Sequence, residues 1–299
     1  MAIQPTLRLF ALLALLIPCS AATKLFASEL MVIKYHQTKG FDDHHTYHYA
    51  LIHQILEITR PEFGDFKEQP YGSAPSAERQ AHLLSEGRVL NVHWASPGTP
   101  IARANVIPIP VDIVQGLQGY RICLINSQAA VDFKAISNVE TFRRLSIGQG
   151  VGWSDVAIYH SNHIKLLETQ GDLFAMLGLR RFDCLPLGVN EIESFYEQKK
   201  PLYPFVAIEP SLLIVYEFPI YFYVSKKFPK IAERFKLGLN RLLANGEFDR
   251  LFNHYHKKNI EQLNLGNRKV ICLKSPFTAN KNQCPQPFLL PDSIKQVKP

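Results

Sequence analysis

The stretch Ser146-Ile-Gly-Gln-Gly-Val-Gly-Trp-Ser-Asp155 predicts a strand that runs through a glycine-rich turn into a helix. The helix is expected to start near Ser154, where unpaired backbone amides are able to bind an anion. Trp153 is able to stack on a ligand. Asp155 either accepts a hydrogen bond from a ligand or favours the helix start. A strand, a turn and a helix form one unit of an α/β sheet, and the chain repeats this unit on both sides.

The N-terminal side of this stretch alternates between strands and helices. One helix is marked by its caps, because Ser76 precedes it and Gly87 follows it. Such alternation is typical of a mainly parallel sheet with helices on its faces. The predicted elements are strands at 31–35, near 66 and at 89–94, and helices at 47–59 and 77–86.

The C-terminal side continues the pattern and then closes it. Asp172 is able to cap one helix, and Asn245-Gly246 separates the last two helices. The predicted elements are strands at 119–125, 145–147, 182–185 and 269–273, a β-rich region at 208–224, and helices at 139–144, 173–177, 231–243 and 248–257.

This order of elements predicts two α/β lobes. Residues 23–113 and 219–264 would form the first lobe, and residues 114–218 the second. Residues 265–299 would form a C-terminal extension packed on the first lobe. Ligands of such folds bind where strand ends and helix starts face a crevice. The chain would cross between the lobes twice, which implies hinge closure around a bound molecule.

The composition is that of a globular protein. The chain has 299 residues, of which 46% are hydrophobic and 20% are charged, and this balance excludes a disordered tail, a coiled coil and a fibre. The net charge is +7, but the basic residues form scattered pairs such as Lys226-Lys227 without interleaved aromatic residues. This pattern does not favour a nucleic-acid partner.

The N-terminus has the parts of a secretory signal peptide. A positive charge precedes the apolar run Leu9-Phe-Ala-Leu-Leu-Ala-Leu-Leu-Ile17, which is too short to span a bilayer. The small residues Ser20 and Ala22 follow it, as at a cleavage site. We therefore predict a signal peptide at residues 1–22, export to the periplasm, and no lipid on Cys19.

Export would place four cysteines in an oxidising compartment, where pairing is favoured. Cys272 and Cys284 flank a proline-containing loop near the C-terminus and are the predicted disulfide. Cys123 and Cys184 lie in apolar, strand-like runs. They would either form a disulfide or remain two buried free thiols.

Four stretches give the sequence a resemblance to a known family. They are the strand and loop at 87–103, the stretch at 146–155, Leu177-Gly-Leu-Arg-Arg-Phe-Asp-Cys184, and the closing helices at 228–255. Their order and spacing resemble the bacterial periplasmic solute-binding proteins of the type 2 fold, in the polar-amino-acid-like family 3 group. The resemblance implies two lobes that bind a small solute in the cleft between them and deliver it to an ABC-type membrane permease.

The resemblance also implies a ligand site, position by position. In amino-acid binders an arginine after the third strand binds the ligand carboxylate, and Arg103 occupies the matching place, with a surface arginine as the alternative. Trp94, Ser96 and Thr99 belong to the same strand and loop. Trp94 would form an aromatic wall of the cleft opposite Trp153, unless both indoles fill the core.

Two departures from the family pattern favour a small polar or aromatic, anionic ligand other than an α-amino acid. The turn reads Gly150-Val151-Gly152 and lacks the hydroxyl that usually follows the first glycine. The acid that binds the ligand ammonium in the family is replaced by Gly188. The nearest acid is Glu191, nearly a helical turn later.

A histidine-rich segment offers metal-ligand residue types. Asp42-Asp43-His44-His45 is followed by His48, which would share a helix face with His44. The other interpretation is a polar loop at the edge of the cleft. We predict no metal and no cofactor.

We predict an exported, monomeric solute-binding protein that is not an enzyme. A sensory module that presents its ligand to a membrane receptor is the first alternative. A small-molecule lyase or dehydratase is the second, because a periplasmic dehydratase uses a related fold, and Glu191 or Asp155 would then act as general acid or base. The sequence contains no Gly-x-Ser-x-Gly, His-Glu-x-x-His or P-loop motif.

Overall fold

The computed structural model describes residues 1, 30–37, 46–72 and 76–277. The strands in these residues are β1 Met31–His36, β2 Phe66–Tyr71, β3 Val92–Ala95, β4 Val106–Ile109, β5 Tyr120–Asn126, β6 Ser146–Gly150, β7 Lys165–Thr169, β8 Leu185–Gly188, β9 Val206–Ile208, β10 Leu212–Val215, β11 Tyr221–Ser225 and β12 Lys269–Cys272. The α-helices in these residues are α1 Thr46–Ile58, α2 Arg60–Phe63, α3 Ala77–Glu86, α4 Pro100–Arg103, α5 Val139–Phe142, α6 Val156–Ser161, α7 Leu173–Gly178, α8 Ile192–Lys199, α9 Pro229–Ala244 and α10 Glu247–Gln262.

Strands β1 and β2 form one pair, and β3-β11-β4 form a three-stranded sheet beside it; we call the two together the first sheet. Strands β1 and β2 pair in parallel, and β11 runs antiparallel between β3 and β4. Asn91, just before β3, links β3 to β1. Its side chain accepts from the Lys34 amide at 2.7 Å and donates to the Val32 carbonyl at 2.8 Å. The Asn91 amide also donates to the Lys34 carbonyl at 2.9 Å, so the backbone and side chain of one residue join the two parts of this sheet.

A five-stranded sheet has the order β8-β5-β10-β12, with β9 also on β5, and an isolated bridge extends it to the pair β6-β7; we call the whole the second sheet. Strands β6 and β7 pair in parallel, and a parallel bridge between Ile147 and Cys184 connects β6 to the residue before β8. Strand β5 runs antiparallel to β8 on one side and to β9 and β10 on the other. The sheet is thus mainly parallel around one reversed strand.

Each sheet holds an antiparallel strand that comes directly after a crossing of the chain. Strand β5 follows residues 110–119, which leave the first sheet, and β11 follows residues 216–220, which leave the second. We call the described residues within 30–109 and 221–262 the first lobe, and residues 120–215 the second lobe. The predicted α/β class with two lobes and two crossings is confirmed.

The last two helices of the first lobe pack on α1. Helix α9 buries Ile231, Phe235, Leu239 and Leu242 along one face, whereas Leu243 is exposed. Arg234 on the same helix is also fully buried, because its guanidinium donates to the Thr59 hydroxyl at 2.9 Å and to the carbonyls of Leu56 and Gly64 at 2.8 and 3.1 Å. Buried cations need such partners, and these bonds fix α9 to the end of α1.

The described part of the C-terminal extension, residues 265–277, joins the second lobe. Strand β12 pairs in parallel with β10, and the amide and carbonyl of Lys274 bond to the Asn162 side chain at 2.9 and 2.8 Å. This placement differs from the expected packing on the first lobe, because the outer edge of β10 has backbone groups that a further strand satisfies. The ring of Phe277 does reach the first lobe, where it covers Gly98.

A disulfide fixes the centre of the second lobe. Cys123 on β5 is bonded to Cys184, and the two Cα atoms are 5.2 Å apart. The sequence left this pair open, and the structure assigns the disulfide. Cys272 also takes part in a disulfide, but its predicted partner Cys284 lies outside the described residues.

The predicted signal peptide also lies outside the described residues, apart from Met1. Within the part of the chain that the structure describes, no helix is long and apolar enough to cross a membrane.

Candidate functional site

The second sheet gathers polar side chains at one edge. Strands β6, β8 and β10 run in the same direction and end at this edge, and the reversed strand β5 begins there. Asp155 follows β6, Glu191 follows β8 and Tyr216 follows β10, while Arg121 is the second residue of β5. Ligands of open α/β sheets bind outside the carboxyl ends of the strands, so this edge is the candidate site.

These four side chains form one bonded unit, which we call the Arg121 cluster. Arg121 Nε donates to the Tyr216 hydroxyl at 2.9 Å, and Nη1 donates to Oε1 of Glu191 at 3.0 Å. Its Nη2 lies 3.4 Å from Oδ2 of Asp155. The Tyr216 hydroxyl donates to the same Asp155 oxygen at 2.9 Å. All three nitrogens of the guanidinium therefore face an acceptor.

Burial makes the charges of the Arg121 cluster interdependent. The side chains of Arg121 and Asp155 are 6% and 5% exposed, whereas that of Glu191 is 23% exposed. Burial lowers the pKa of Arg121, but Tyr216, Asp155 and Glu191 outweigh it and hold that pKa above its ordinary value. Burial raises the pKa of Tyr216, so its hydroxyl keeps its proton and donates it. The guanidinium is a fixed cation, and it holds two carboxylates in place.

Glu191 supplies the carboxylate that the family pattern would place at position 188. A Cβ on Gly188 would lie 2.5 Å from Oδ1 of Asn190 and 3.2 Å from Oε1 of Glu191, so a larger residue there would require these side chains to move. Oε1 of Glu191 also accepts from the Gly188 amide at 2.8 Å. An acid that is three residues late in sequence is therefore adjacent to position 188 in space.

The glycine-rich turn after β6 presents Trp153. The Trp153 amide donates to the Gly150 carbonyl at 3.1 Å, and Gly152 has a φ of 79°, which is the glycine position of a type II turn. A Cβ on Gly150 would collide with the Trp153 indole, so the ring lies against the end of β6. Trp153 is 40% exposed. An accessible aromatic surface therefore lies two residues before Asp155 of the Arg121 cluster.

The first-lobe loop after β3 is held by its own hydrogen bonds. The Thr99 hydroxyl donates to the carbonyl of Ser96 at 2.8 Å and accepts from the Ala102 amide at 3.3 Å, as the N-cap of α4. Ser96 is buried. Arg103 is exposed, and its Nη1 donates to the Gly98 carbonyl. The hydroxyl of Thr99 is thus committed to the loop, whereas Arg103 stays accessible.

Trp94 lies in the core of the first lobe. It is 8% exposed. Its ring stacks on His48 with centroids 4.9 Å apart, and it meets the rings of Tyr49 and Phe222 edge-on at 5.7 and 6.5 Å. Of the two alternatives for the tryptophans, Trp94 therefore takes the core position and Trp153 the exposed one.

The histidine segment is only partly described. His44 and His45 lie outside the described residues, and His48 is stacked on Trp94. Among the residues that the structure describes, no group of three or more histidine, cysteine or acidic side chains is placed to hold a metal ion.

Sequence reasoning missed Arg121 and Tyr216, which complete the cluster. Arg121 left one usable signal, because it is the only charged residue in the apolar strand Tyr120–Asn126 and a buried cation needs a buried acid. No feature of the sequence marks Tyr216 as a site residue, since a tyrosine beside apolar residues is common in cores.

No known family profile matches this sequence, and no curated protein matches it significantly. Solved structures match in fold. The ligand-binding core of GluR0 in complex with L-glutamate is 10% identical, with a TM-score of 0.53 over 77% of this chain and 99% of its own. The substrate-binding protein of an amino acid ABC transporter is 14% identical, with a TM-score of 0.51 over 76% of this chain and 99% of its own.

A third match is AncCDT-1, an ancestral amino acid-binding protein and a precursor of cyclohexadienyl dehydratase. It is 12% identical, with a TM-score of 0.50 over 75% of this chain and 95% of its own. The chain therefore has the two-lobed fold of these binding proteins, and the resemblance noted in the sequence is confirmed at the level of fold.

Proposed function

We propose that this protein captures a small polar solute between its lobes and delivers it to an ABC-type importer. The observation that carries the proposal is the edge of the second sheet, where accessible groups stand on a buried support. Trp153 and Glu191 are 40% and 23% exposed, while Arg121 and Asp155 behind them are buried. A binding site needs such fixed groups, because ordering them during binding would cost affinity.

The proposed solute carries an anionic group and an apolar or aromatic part. Arg103 on the first lobe is exposed, and a planar guanidinium suits a carboxylate. The indole of Trp153 gives a flat surface for a ring or an aliphatic chain. Glu191 would accept a hydrogen bond from a donor on the solute. Because these groups come from both lobes, binding would favour lobe closure.

A thermal-shift screen of small polar solutes is the first test, because a ligand of the folded state raises the melting temperature by mass action. Any hit is then titrated against wild-type protein by tryptophan fluorescence. Trp153 is the accessible indole, so a true ligand is expected to change its emission. A panel of amino acids, carboxylates and aromatic acids that leaves both signals unchanged contradicts the proposal.

Two variants with matched controls locate the site for any hit. Arg103→Ala is expected to weaken binding by roughly 2–5 kcal/mol if the guanidinium binds the anionic group, whereas Arg88→Ala, an exposed first-lobe arginine, should leave it unchanged. Trp153→Ala should weaken binding, and Leu179→Ala, an exposed second-lobe residue, should not. Equal affinity in all four variants refutes this placement of the site.

A lyase is the second candidate function, because Glu191 is a partly exposed carboxylate bonded to a buried cation. The test is to incubate each ligand with the protein and follow it by NMR. A ligand that stays intact supports a binding protein, and its consumption by wild type but not by Glu191→Gln supports a lyase. A sensory protein would use the same site. Binding of the loaded protein to a permease complex supports the transport role, whereas binding to a membrane receptor supports the sensory role.

Export to the periplasm is part of the proposal. The mature protein is expected to begin at Thr23, after the signature Ser20-x-Ala22. Mass spectrometry of the exported protein measures this directly. A retained Met1 or a lipid on Cys19 contradicts it.

A further inference from the structure

A cavity of about 300 Å³ lies between the lobes, beside the end of β8. One wall is formed by α8 of the second lobe and the residues just before it. The other is formed by α10 and the start of α1 in the first lobe. We call this cavity the α8–α10 pocket. A molecule bound there contacts both lobes at once.

Two carboxylates line the second-lobe side of the pocket. Glu193 and Glu197 are four residues apart on α8, so they share one helix face. Within the described part of the chain neither makes an ion pair, and Lys258 is the cation that acts on Glu193. Burial, with a smaller contribution from Glu197, raises the pKa of Glu193. Two carboxylates therefore stand against one cation, and this side of the pocket is net negative.

Two buried polar atoms in the same pocket have no hydrogen-bond partner. One is Nε2 of His256, a residue only 6% exposed. The other is Oδ1 of Asn190, which lies beside Gly188, where the pocket adjoins the Arg121 cluster. A buried polar atom without a partner is costly and rare in native proteins, so each such atom calls for a ligand or a water. His256 comes from the first lobe and Asn190 from the second.

Aromatic rings complete the first-lobe side of the pocket. Tyr47 packs against Tyr255 and His256, with ring centroids 5.9 and 4.9 Å apart. The Tyr47 hydroxyl is committed, since it donates to the Ile113 carbonyl at 2.6 Å. The rings therefore offer faces and edges, and aromatic faces attract cations.

The groups in this pocket accept hydrogen bonds or attract positive charge. Two carboxylates and an amide oxygen require a donor, and a neutral imidazole nitrogen is able to accept one as well. An anion would be repelled by the glutamates. We infer that the α8–α10 pocket binds the ammonium group of an organic amine. This site adjoins the Arg121 cluster at Asn190 but shares none of its four residues, and it goes beyond the proposed function because it does not depend on which solute binds at the strand ends.

Calorimetric titration of the full mature chain with 1,4-diaminobutane at pH 7.5 tests the inference. The matched probe is 1,4-butanediol, which has the same carbon chain without charge. Saturable binding of the diamine, with no binding of the diol, is expected. Absence of saturable binding by both diaminobutane and methylammonium overturns the inference, as does equal binding of the diol.

Variants assign any binding to the pocket. The double variant Glu193→Gln/Glu197→Gln keeps the shape of the pocket and removes both charges, so diamine affinity should fall at least about tenfold. The control is Glu247→Gln/Glu261→Gln, which removes two exposed glutamates on α10 that pair with Arg250 and Lys257. Equal affinity in the two double variants overturns the inference.

A solute that binds at the strand ends is measured separately with Arg103→Ala. Loss of solute binding in that variant, with diamine binding retained, leaves the α8–α10 pocket in place. Failure of the proposed function and failure of the amine site are therefore distinguishable, and near-UV circular dichroism of each variant confirms that it is folded.

Discussion

The two sides of the candidate cleft are built in different ways. On the second lobe, the Arg121 cluster places a cation and two carboxylates in one buried unit that joins β5, β6, β8 and β10. On the first lobe, the loop around Thr99 is fixed by neutral hydrogen bonds within itself, and Trp94 is packed among rings. The difference teaches that the second lobe depends on long-range charge pairing, whereas the first depends on local capping and apolar packing.

Removal of the buried cation should lower the free energy of unfolding more than any of the other changes considered below. In Arg121→Met the carboxylates of Asp155 and Glu191 lose their partner, and breaking a buried pair costs about 5 kcal/mol at the upper end of its range. Urea unfolding followed by circular dichroism measures this loss. The first-lobe control Arg103→Met removes an exposed guanidinium and should change stability by less than about 0.5 kcal/mol.

A further variant separates charge from packing in the Arg121 cluster. If stranded carboxylates cause the loss, Asp155→Asn and Glu191→Gln added to Arg121→Met should restore part of the stability. A triple variant that is no more stable than Arg121→Met would show that packing, not charge, is responsible.

Loss of the disulfide should give the next largest effect. Cys123 and Cys184 are separated by 61 residues, all within the second lobe, and the chain-entropy model assigns about 4 kcal/mol to closing a loop of this size. Cys123→Ala/Cys184→Ala is therefore expected to lower the free energy of unfolding by up to that amount. An unchanged urea midpoint would contradict it.

The first lobe should lose stability in mild acid through His256. Burial lowers the pKa of this imidazole from 6.5 to about 4, so the unfolded chain takes up a proton below pH 6.5 while the folded chain stays neutral. The contribution of His256 to the free energy of unfolding is therefore present in full well above pH 6.5. It falls by about 2 kcal/mol between pH 7.5 and 5. Tyr47 and Phe252 pack on the ring, and Glu193 faces it across the pocket.

Two variants check the assignment to His256. The difference in unfolding free energy between pH 7.5 and 5 should shrink in His256→Gln. It should be unchanged in His254→Gln, an exposed histidine on the same helix. An identical pH dependence in wild type and His256→Gln would exclude this residue as its source.

The smallest expected effect is local to the first-lobe loop. Thr99→Ala removes the N-cap of α4, which is typically worth about 1 kcal/mol. Asp172→Ala is the second-lobe counterpart, because Asp172 caps α7 through the amides of Phe174 and Ala175 at 2.8 and 3.2 Å. Thermal unfolding of both variants compares the lobes. A loss well above 1 kcal/mol for Thr99→Ala would show that the loop has a role beyond capping.

Local sequence signals predicted most of the elements. Ser76 and Gly87 bound α3 as expected, and the Gly87 φ of 70° is that of a C-terminal cap. Asp172 caps α7 as predicted. Strand β7 and helix α8 were missed, because no residue of β7 is buried and α8 is only weakly amphipathic with one fully buried residue, Ile192. Pro61 lies just past α1, in the first turn of the short helix α2.

The candidate site was only partly accessible from sequence. Asp155 and Glu191 were identified as site residues, but their partner Arg121 lies 34 and 70 residues away along the chain. No local pattern reports a contact over such a separation. The same limit applies to β12, whose partner β10 is set by which sheet edge is open rather than by the residues of β12 itself.

The sequence by itself determined the alternation of strands and helices, the caps and the two-lobed α/β class, because periodicity and capping act over a few neighbouring residues. The tertiary structure alone decided that Arg121 pairs with two distant carboxylates. It also decided that Trp94 is buried while Trp153 is exposed, and that Glu191 stands beside Gly188. Burial and charge pairing depend on which elements pack together, and contacts between elements that are distant in sequence form only in the complete fold.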